Sequence, residues 1–168
     1  MKNLVYTLGP VLIVEDDPDL LEILADIVKS LKLEVITARN GIEAYILLQN
    51  NKVSMIIADI VMPLCGGISL LIKARKANIS APFVFITGYQ DRERLIEAVR
   101  LGAMDFLIKH IDVPIFQAMV QRVFEISKRE AYKSDLLRFL SLKIHQQTNQ
   151  DIQNIERQIN SLRATGIS

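Results

Sequence analysis

Hydrophobic positions in the first two-thirds of the chain alternate between short continuous runs and longer runs at helical spacing. The short runs are β-branched or aromatic-rich and predict five strands: Val11–Val14, Glu34–Thr37, Ser54–Ala58, Phe83–Ile86 and Asp105–Ile108. The nearly unbroken apolarity of several runs indicates strands buried on both faces. Helical patterns fill the gaps: one after Asp17-Pro18, then Ile42–Asn50, Ser69–Lys76 and Arg92–Leu101. This alternation predicts a doubly wound α/β domain with a five-stranded parallel sheet over residues 10–125.

Residues 126–168 have a different character and are predicted to form a helical extension. From about Val113 to Leu162 there is no strand pattern, and apolar residues recur at steps of three and four. The last set fits the seam of a coiled coil: Ile152, Ile155, Ile159 and Leu162. The polar stretch His145–Asp151 interrupts the pattern and suggests a break, with Thr148 or Asn149 capping a second helix. A homodimeric coiled coil is the preferred interpretation, and a hairpin folded onto the same chain is the alternative.

Composition narrows the class of protein. The chain has 168 residues and a formal net charge of +1, which gives no electrostatic reason to expect binding to nucleic acid or to an anionic membrane. Its single cysteine, Cys65, excludes an intrachain disulfide, and its apolar runs are far shorter than a membrane helix requires. The first ten residues are a poor signal peptide. We therefore expect a soluble cytoplasmic protein without a nucleic-acid-binding motif.

Polar residues that could carry chemistry follow the predicted strands. In open parallel sheets, ligands bind beyond the carboxyl ends of the strands. The residues found there are Glu15, Asp16 and Asp17 after the first strand, Asp59 after the third, Thr87 at the end of the fourth and Lys109 after the fifth. Each has an ordinary structural explanation by itself. Asp17 suits a helix cap, Thr87 a turn hydroxyl and Lys109 a solvated charge.

Together these residues indicate a phosphoryl-transfer site. Converging carboxylates repel one another and destabilise the fold unless a cation neutralises them. An all-oxygen acidic site without His or Cys ligands suits Mg²⁺ or Mn²⁺. An aspartate such as Asp59 can accept a phosphoryl group as an acyl phosphate. The Lys109 ammonium and the Thr87 hydroxyl would then stabilise the phosphoryl oxygens.

Four segments resemble the response-regulator receiver domains of two-component signalling. They are Val11–Asp17, Ile57–Pro63, Phe85–Gly88 and Asp105–Lys109, in the order and spacing of that family. The resemblance covers roughly residues 10–125 and implies a flavodoxin-like sheet of order 2-1-3-4-5. It also implies phosphorylation by the phosphohistidine of a sensor kinase or a phosphotransfer protein, followed by self-catalysed hydrolysis. Catalysis of an external reaction is not implied.

The resemblance also assigns roles to individual residues. Asp59 matches the phosphoacceptor, and Glu15 and Asp16 match the acidic pair that holds Mg²⁺, with Asp16 as the direct ligand. Val61 matches the position whose backbone carbonyl completes the metal shell. Thr87 matches the switch hydroxyl and Phe106 the switch aromatic, and Lys109 matches the family's lysine. On phosphorylation Thr87 would move toward the phosphoryl group, and Phe106 would turn inward into the vacated space.

Two positions depart from the family pattern. His110 replaces the proline that usually follows the lysine, so a cis peptide bond there would cost about 3–4 kcal/mol. The bond is therefore either trans or part of a strained loop. Bulky Val61 and Tyr89 stand two residues after Asp59 and Thr87, where they could screen the attacking water. We accordingly expect a long-lived phosphorylated state.

Three other interpretations remain at this stage. The chain could be a degenerate receiver that acts as a constitutive interaction module, or a piece of a longer regulator with a separate effector domain. A phosphatase of the haloacid-dehalogenase type has similar chemistry, but it carries an Asp-x-Asp motif directly after the first strand. Glu15-Asp16-Asp17 does not supply that motif, and Asp59 follows the third strand. The cognate kinase and the downstream target do not follow from the sequence.

Overall fold

The computed structural model describes residues 8–88 and 92–164 as alternating strands and helices. The strands are β1 (Val11–Val14), β2 (Val35–Ala38), β3 (Met55–Asp59), β4 (Phe83–Thr87) and β5 (Asp105–Ile108). The helices are α1 (Pro18–Ser30), α2 (Gly41–Asn50), α3 (Gly67–Lys76), α4 (Arg92–Arg100) and α5 (Val113–Ala164). The predicted strands agree with these bounds to within one residue at each end.

The five strands form one parallel sheet in the order β2-β1-β3-β4-β5. This order confirms the predicted doubly wound fold. Alternate residues of each strand point to opposite faces, so Leu12 and Val14 belong to one apolar cluster and Val11 and Ile13 to the other. The first cluster includes residues of α2 and α3, and the second includes residues of α1 and of the first turns of α5. The central strands are therefore buried on both sides.

The start of α1 shows how a local signal fixes an element beside the sheet edge. The Asp17 carboxylate accepts hydrogen bonds from the backbone N–H groups of Asp19 (2.9 Å) and Leu20 (3.2 Å). Pro18 occupies the first helical position, where its missing N–H has no cost. The predicted cap at Asp17 is confirmed, and α1 begins immediately beyond the carboxyl end of β1.

The extension is helical throughout its described residues. The chain divides into two compact units, Met1–Arg129 and Glu130–Ser168, and α5 runs through 145–151 without interruption. The predicted break there is wrong, and so is the assignment of Thr148 or Asn149 as a cap. The Thr148 hydroxyl instead donates to the carbonyl oxygen of Ile144 at 2.9 Å, within the helix. A hairpin would need the break that α5 lacks. Among the described helices, none is both long and apolar enough to cross a bilayer.

Gly67, the first residue of α3, lies against the end of β3. A Cβ atom at this position would lie 2.3 Å from the carbonyl oxygen of Asp59 and 2.7 Å from Cε1 of Phe85. Phe85 is fully buried and cannot yield easily. The absence of a side chain at Gly67 therefore sets the distance between α3 and the carboxyl end of β3.

We expect Gly67→Ala to destabilise the domain by about 2–3 kcal/mol, because the added methyl group must displace a backbone carbonyl and a buried ring. Gly102→Ala is the matched control: Gly102 has a φ of +87°, but a Cβ there meets nothing within 4 Å. That change should cost only about 1 kcal/mol of backbone strain. Urea unfolding of both variants measures the difference, and equal losses of stability would contradict the close-packing argument.

Candidate functional site

The strand register brings Glu15 and Asp59 side by side at the carboxyl edge of the sheet. Val14 pairs with Ala58 in the parallel ladder, so the next residues, Glu15 and Asp59, lie next to each other. Both are buried, whereas Asp16 is exposed. One carboxylate oxygen from each of the three residues lies within 4.8 Å of the others. The three acidic residues expected to share a site are therefore adjacent.

Lys109 contributes a positive charge to this cluster from the end of β5, which is separated from β3 by β4. It follows β5 directly, and its backbone N–H donates to the carbonyl oxygen of Thr87 at 2.7 Å. Its ammonium forms an ion pair with the Asp59 carboxylate and donates to Oε1 of Glu15 at 3.2 Å. One lysine thus bridges the two buried carboxylates.

The remaining oxygen of Glu15 has no donor among the described residues. The Lys109 ammonium also lies 3.2 Å from Oε2, but the geometry of a hydrogen bond is met only at Oε1. Glu15 is 1% exposed, so Oε2 also lacks the solvent that would normally compensate for a missing donor. A buried carboxylate oxygen that accepts no hydrogen bond, beside two other carboxylates, suits a hard divalent cation such as Mg²⁺. Glu15, Asp16 and Asp59 could hold such an ion.

The charges in the cluster shift the ionisation of two groups. Burial, reinforced by the nearby negative charge of Asp59, raises the pKa of Glu15, and Lys109 only partly opposes this. Burial alone would lower the pKa of Lys109, but its bonds and charge interactions with Asp59 and Glu15 outweigh burial and raise the pKa overall. The lysine is therefore cationic, and the ionised form of Glu15 is disfavoured.

Val61 stands beside the Asp59 carboxylate. Its backbone N–H donates to Oδ1 of Asp59 at 3.1 Å, in the manner of an Asx turn. This bond orients the Asp59 side chain, since Oδ1 is held by Val61 and Oδ2 by Lys109. The Val61 side chain is 46% exposed. Tyr89, the other predicted screening residue, lies outside the described residues.

Thr87 and Phe106 occupy neighbouring strands next to the cluster. Thr87 is buried at the end of β4, one residue beyond Ile86, which pairs with Asp59. Phe106 pairs with Phe85 across the ladder and is 39% exposed, so its ring is not part of the core. The β4–β5 pair thus carries a buried threonine at the carboxyl end of β4. The partly exposed ring of Phe106 lies on β5, two residues before the position that pairs with this threonine.

The sequence left two alternatives for the Lys109–His110 peptide bond: a trans bond, or a bond in a strained loop. The bond is trans, and His110 has a φ of +82°, in the left-handed region that non-glycine residues rarely adopt. Proline, whose φ is fixed near −65°, could not take this conformation. The departure from the family pattern at this position is therefore accompanied by a different backbone path directly after Lys109.

Two features of the site were not anticipated from the sequence. The first is the bond between Lys109 and Glu15, because Lys109 was assigned only to phosphoryl oxygens. The second is the donation from the Val61 N–H, because only the Val61 carbonyl was considered. The second had a usable signal, since an aspartate commonly accepts from the N–H two residues later. The first depends on a contact over 94 positions of sequence, for which no local signal exists.

Comparison with known proteins places this geometry in context. The family model for the response regulator receiver domain matches residues 11–121. Response regulator protein PilR of Pseudomonas aeruginosa is 31% identical over 120 residues, which cover 71% of this chain and 27% of PilR. Transcriptional regulatory protein CrdR of Helicobacter pylori is 33% identical over 115 residues, which cover 68% of this chain and 54% of CrdR. The chain therefore matches about half of one relative and about a quarter of the other.

A solved structure shows the same fold. The receiver domain of the Francisella response regulator 1452 superposes with a TM-score of 0.66 at 27% identity, covering 71% of this chain and 98% of the Francisella chain. The matched fraction corresponds in extent to the sheet and the helices packed on it.

The repulsion among the three neighbouring carboxylates leads to a prediction for Glu15→Gln. The amide removes one negative charge from a buried position, so we expect the metal-free protein to gain about 1 kcal/mol, or roughly 3 °C in melting temperature. The same change should weaken Mg²⁺ binding at least about tenfold, because a carboxylate is lost from the cluster. Thermal unfolding in EDTA and in a Mg²⁺ titration measures both effects, and a lower melting temperature in EDTA would contradict the repulsion argument.

Proposed function

The chain belongs to the response regulator receiver domain family, and from this premise we propose that it is a phosphorylation switch in which Asp59 is the phosphoacceptor. The observation that carries the proposal is the position of the Asp59 carboxylate, which is buried at the sheet edge, held by Val61 and paired with the Lys109 ammonium. The sequence match covers residues 11–121, which include every residue of this cluster.

The proposed reaction is phosphoryl transfer to a carboxylate oxygen. An oxygen of Asp59 attacks the phosphorus of a phosphohistidine or of a small acyl phosphate. The new O–P bond forms as the bond to the donor breaks, and the electron pair leaves with the donor. Lys109 already lies beside Asp59 and offsets charge on the transferred oxygens. Because hydrolysis acts only on the protein's own acyl phosphate, the chain turns over no external substrate.

Glu15, Asp16 and Asp59, with the carbonyl of Val61, would hold the divalent cation. When bound, Mg²⁺ or Mn²⁺ supplies charge neutralisation to the phosphoryl oxygens. The oxygen-only donor set, and Oε2 of Glu15, which accepts no hydrogen bond from the described residues, support this assignment. Asp17 is not included, because its carboxylate caps α1.

The switch is proposed to run from Thr87 to Phe106. The Thr87 hydroxyl donates to the phosphoryl group, and Phe106 turns from its half-exposed position toward the space that Thr87 leaves. Large apolar side chains are also exposed on α4, on β5 and between the two elements: Ile96, Val99, Met104 and Ile108. A change at Phe106 would alter this surface, and a partner would read the change. Changing the ratio of the two conformations from 1:99 to 99:1 requires about 5.5 kcal/mol of differential stabilisation.

The proposed partners follow from this role. A sensor histidine kinase or a phosphotransfer protein supplies the phosphoryl group in the cytoplasm, and the output is a protein–protein contact. The extension joins two copies of the chain into a homodimer through its apolar seam. The names of PilR and CrdR describe a response regulator and a transcriptional regulator that are longer than the matched region. An additional effector domain is the second candidate, favoured by the small share of those relatives that this chain matches.

The function is tested by intact mass after incubation with acetyl phosphate and Mg²⁺. We expect one phosphoryl adduct that disappears with EDTA and is absent from Asp59→Asn. Asp105→Asn is the matched control, because Asp105 is an acidic residue of β5 that pairs with Arg122 outside the cluster. Failure of the unmodified chain to form an adduct in any condition would reject the proposal and favour a constitutive interaction module.

The position of Val61 predicts a long lifetime for the phosphorylated state. An exposed branched side chain beside the acceptor hinders approach of the water that would hydrolyse the acyl phosphate. We expect Val61→Ala to release phosphate faster, whereas Val99→Ala, a change at an exposed valine on α4, should leave the rate unchanged. Release of phosphate by the unmodified chain within seconds would contradict the expectation.

A further inference from the structure

The second unit, Glu130–Ser168, carries an apolar stripe that is exposed among the residues the structure describes. Its nine large apolar side chains between Leu136 and Ile159 are 41–67% exposed. Because α5 is continuous here, the apolar residues on both sides of the polar stretch lie on one helix.

Seven positions from Leu137 to Ile159 form the central part of the seam of this stripe, at steps of three and four residues. They are Leu137, Leu140, Ile144, Thr148, Ile152, Ile155 and Ile159. Thr148 is the polar member, and its hydroxyl is already satisfied by the carbonyl of Ile144. The seam is nearly symmetric about Thr148: apolar residues lie 4, 8 and 11 positions before it and 4, 7 and 11 positions after it. Read in the reverse direction, the seam has nearly the same spacing, so two copies can pair in antiparallel orientation.

The charges that flank the seam distinguish this arrangement from a parallel one. Lys143 and Asp151 each directly precede a seam residue, so they lie on the same side of the stripe. Arg138 and Glu156 each directly follow a seam residue, so they lie on the other side. In antiparallel pairs, like sides of the two helices face each other, whereas in parallel pairs opposite sides meet.

An antiparallel pair centred on Thr148 brings opposite charges together. Lys143 then lies within two residues of Asp151 of the second copy along the axis, and Arg138 lies within two residues of Glu156. Each contact occurs twice by symmetry. A parallel, in-register pair would instead place Asp151 against Glu156 of the other helix, because such pairs join residues five positions apart. Charge complementarity therefore favours the antiparallel pair.

We propose that a second copy of this chain covers the stripe as an antiparallel helix pair centred on Thr148. The inference rests on the proposed function only for the existence of a homodimer, and it adds the orientation, the register and the charges that select them. Phosphorylation of Asp59 is not required for the pairing. A failure of the test below therefore leaves the phosphoacceptor proposal intact, and the reverse also holds.

Disulfide trapping tests the orientation on the full chain. In a Cys65→Ser background, which removes the native thiol, Leu137→Cys and Ile159→Cys are prepared separately and oxidised alone and as a mixture. We expect a disulfide-linked dimer in the mixture and none in Leu137→Cys alone. Leu142→Cys, an exposed position off the seam, is the control and should not cross-link. A self-linked Leu137→Cys dimer, or a monomeric mass by sedimentation, would overturn the proposal, as would a trimer.

Charge reversal tests the orientation independently, because it changes the dimerisation affinity in opposite directions for antiparallel and parallel pairs. Glu156→Lys places like charges beside Arg138 in an antiparallel pair, so dimerisation should weaken roughly three- to tenfold. In a parallel pair the same change would create an attraction to Asp151 and strengthen dimerisation. Combining it with Arg138→Glu should restore the original affinity in sedimentation equilibrium. Stronger association of the single variant would contradict the antiparallel pair.

Discussion

The site depends on the ion pair between Lys109 and the two buried carboxylates. Glu15 and Asp59 lie next to each other because the strand register places them there, and without a cation their charges would oppose folding. Lys109 comes from the edge strand β5, and β4 lies between β5 and β3. The lysine therefore reaches across the end of β4, where Thr87 is located. Any group that enters between Lys109 and Asp59 must also adjust to the end of β4.

Most of the fold could be predicted from the sequence, because the sheet is made of short apolar runs whose period differs from that of the helices. The strand order confirmed the expectation from the family resemblance, and the Asp17 cap followed from a residue preference with a known cause. The incorrect prediction of a helix break at 145–151 also has a local cause. Polar residues that favour caps are also compatible with an exposed helix surface when their side chains bond within the helix, as Thr148 does. Sequence composition alone does not separate these two outcomes.

The candidate site was predictable only in part. The positions of the carboxylates follow from the rule that ligands bind beyond the carboxyl ends of parallel strands. The bond from Lys109 to Glu15 and the positive φ of His110 depend on the path of the chain after β5. That path is set by tertiary contacts, and a substitution at one position, proline to histidine, gives no indication of the conformation that replaces the usual one. The roles of Thr87 and Phe106 involve a second state, which one conformation does not contain.

The capping of α1 by Asp17 has a consequence for the valence of the ion that the site could hold. Three consecutive acidic residues follow β1, but the helix N-terminus engages the third, so two remain for the cluster. With Asp59 they make three carboxylates, and the Lys109 ammonium leaves two negative charges in excess when all are ionised. A divalent cation brings this site to electrical neutrality, whereas a monovalent ion falls short and a trivalent ion overshoots. The helix cap would thus help to select the charge of such an ion without contacting it.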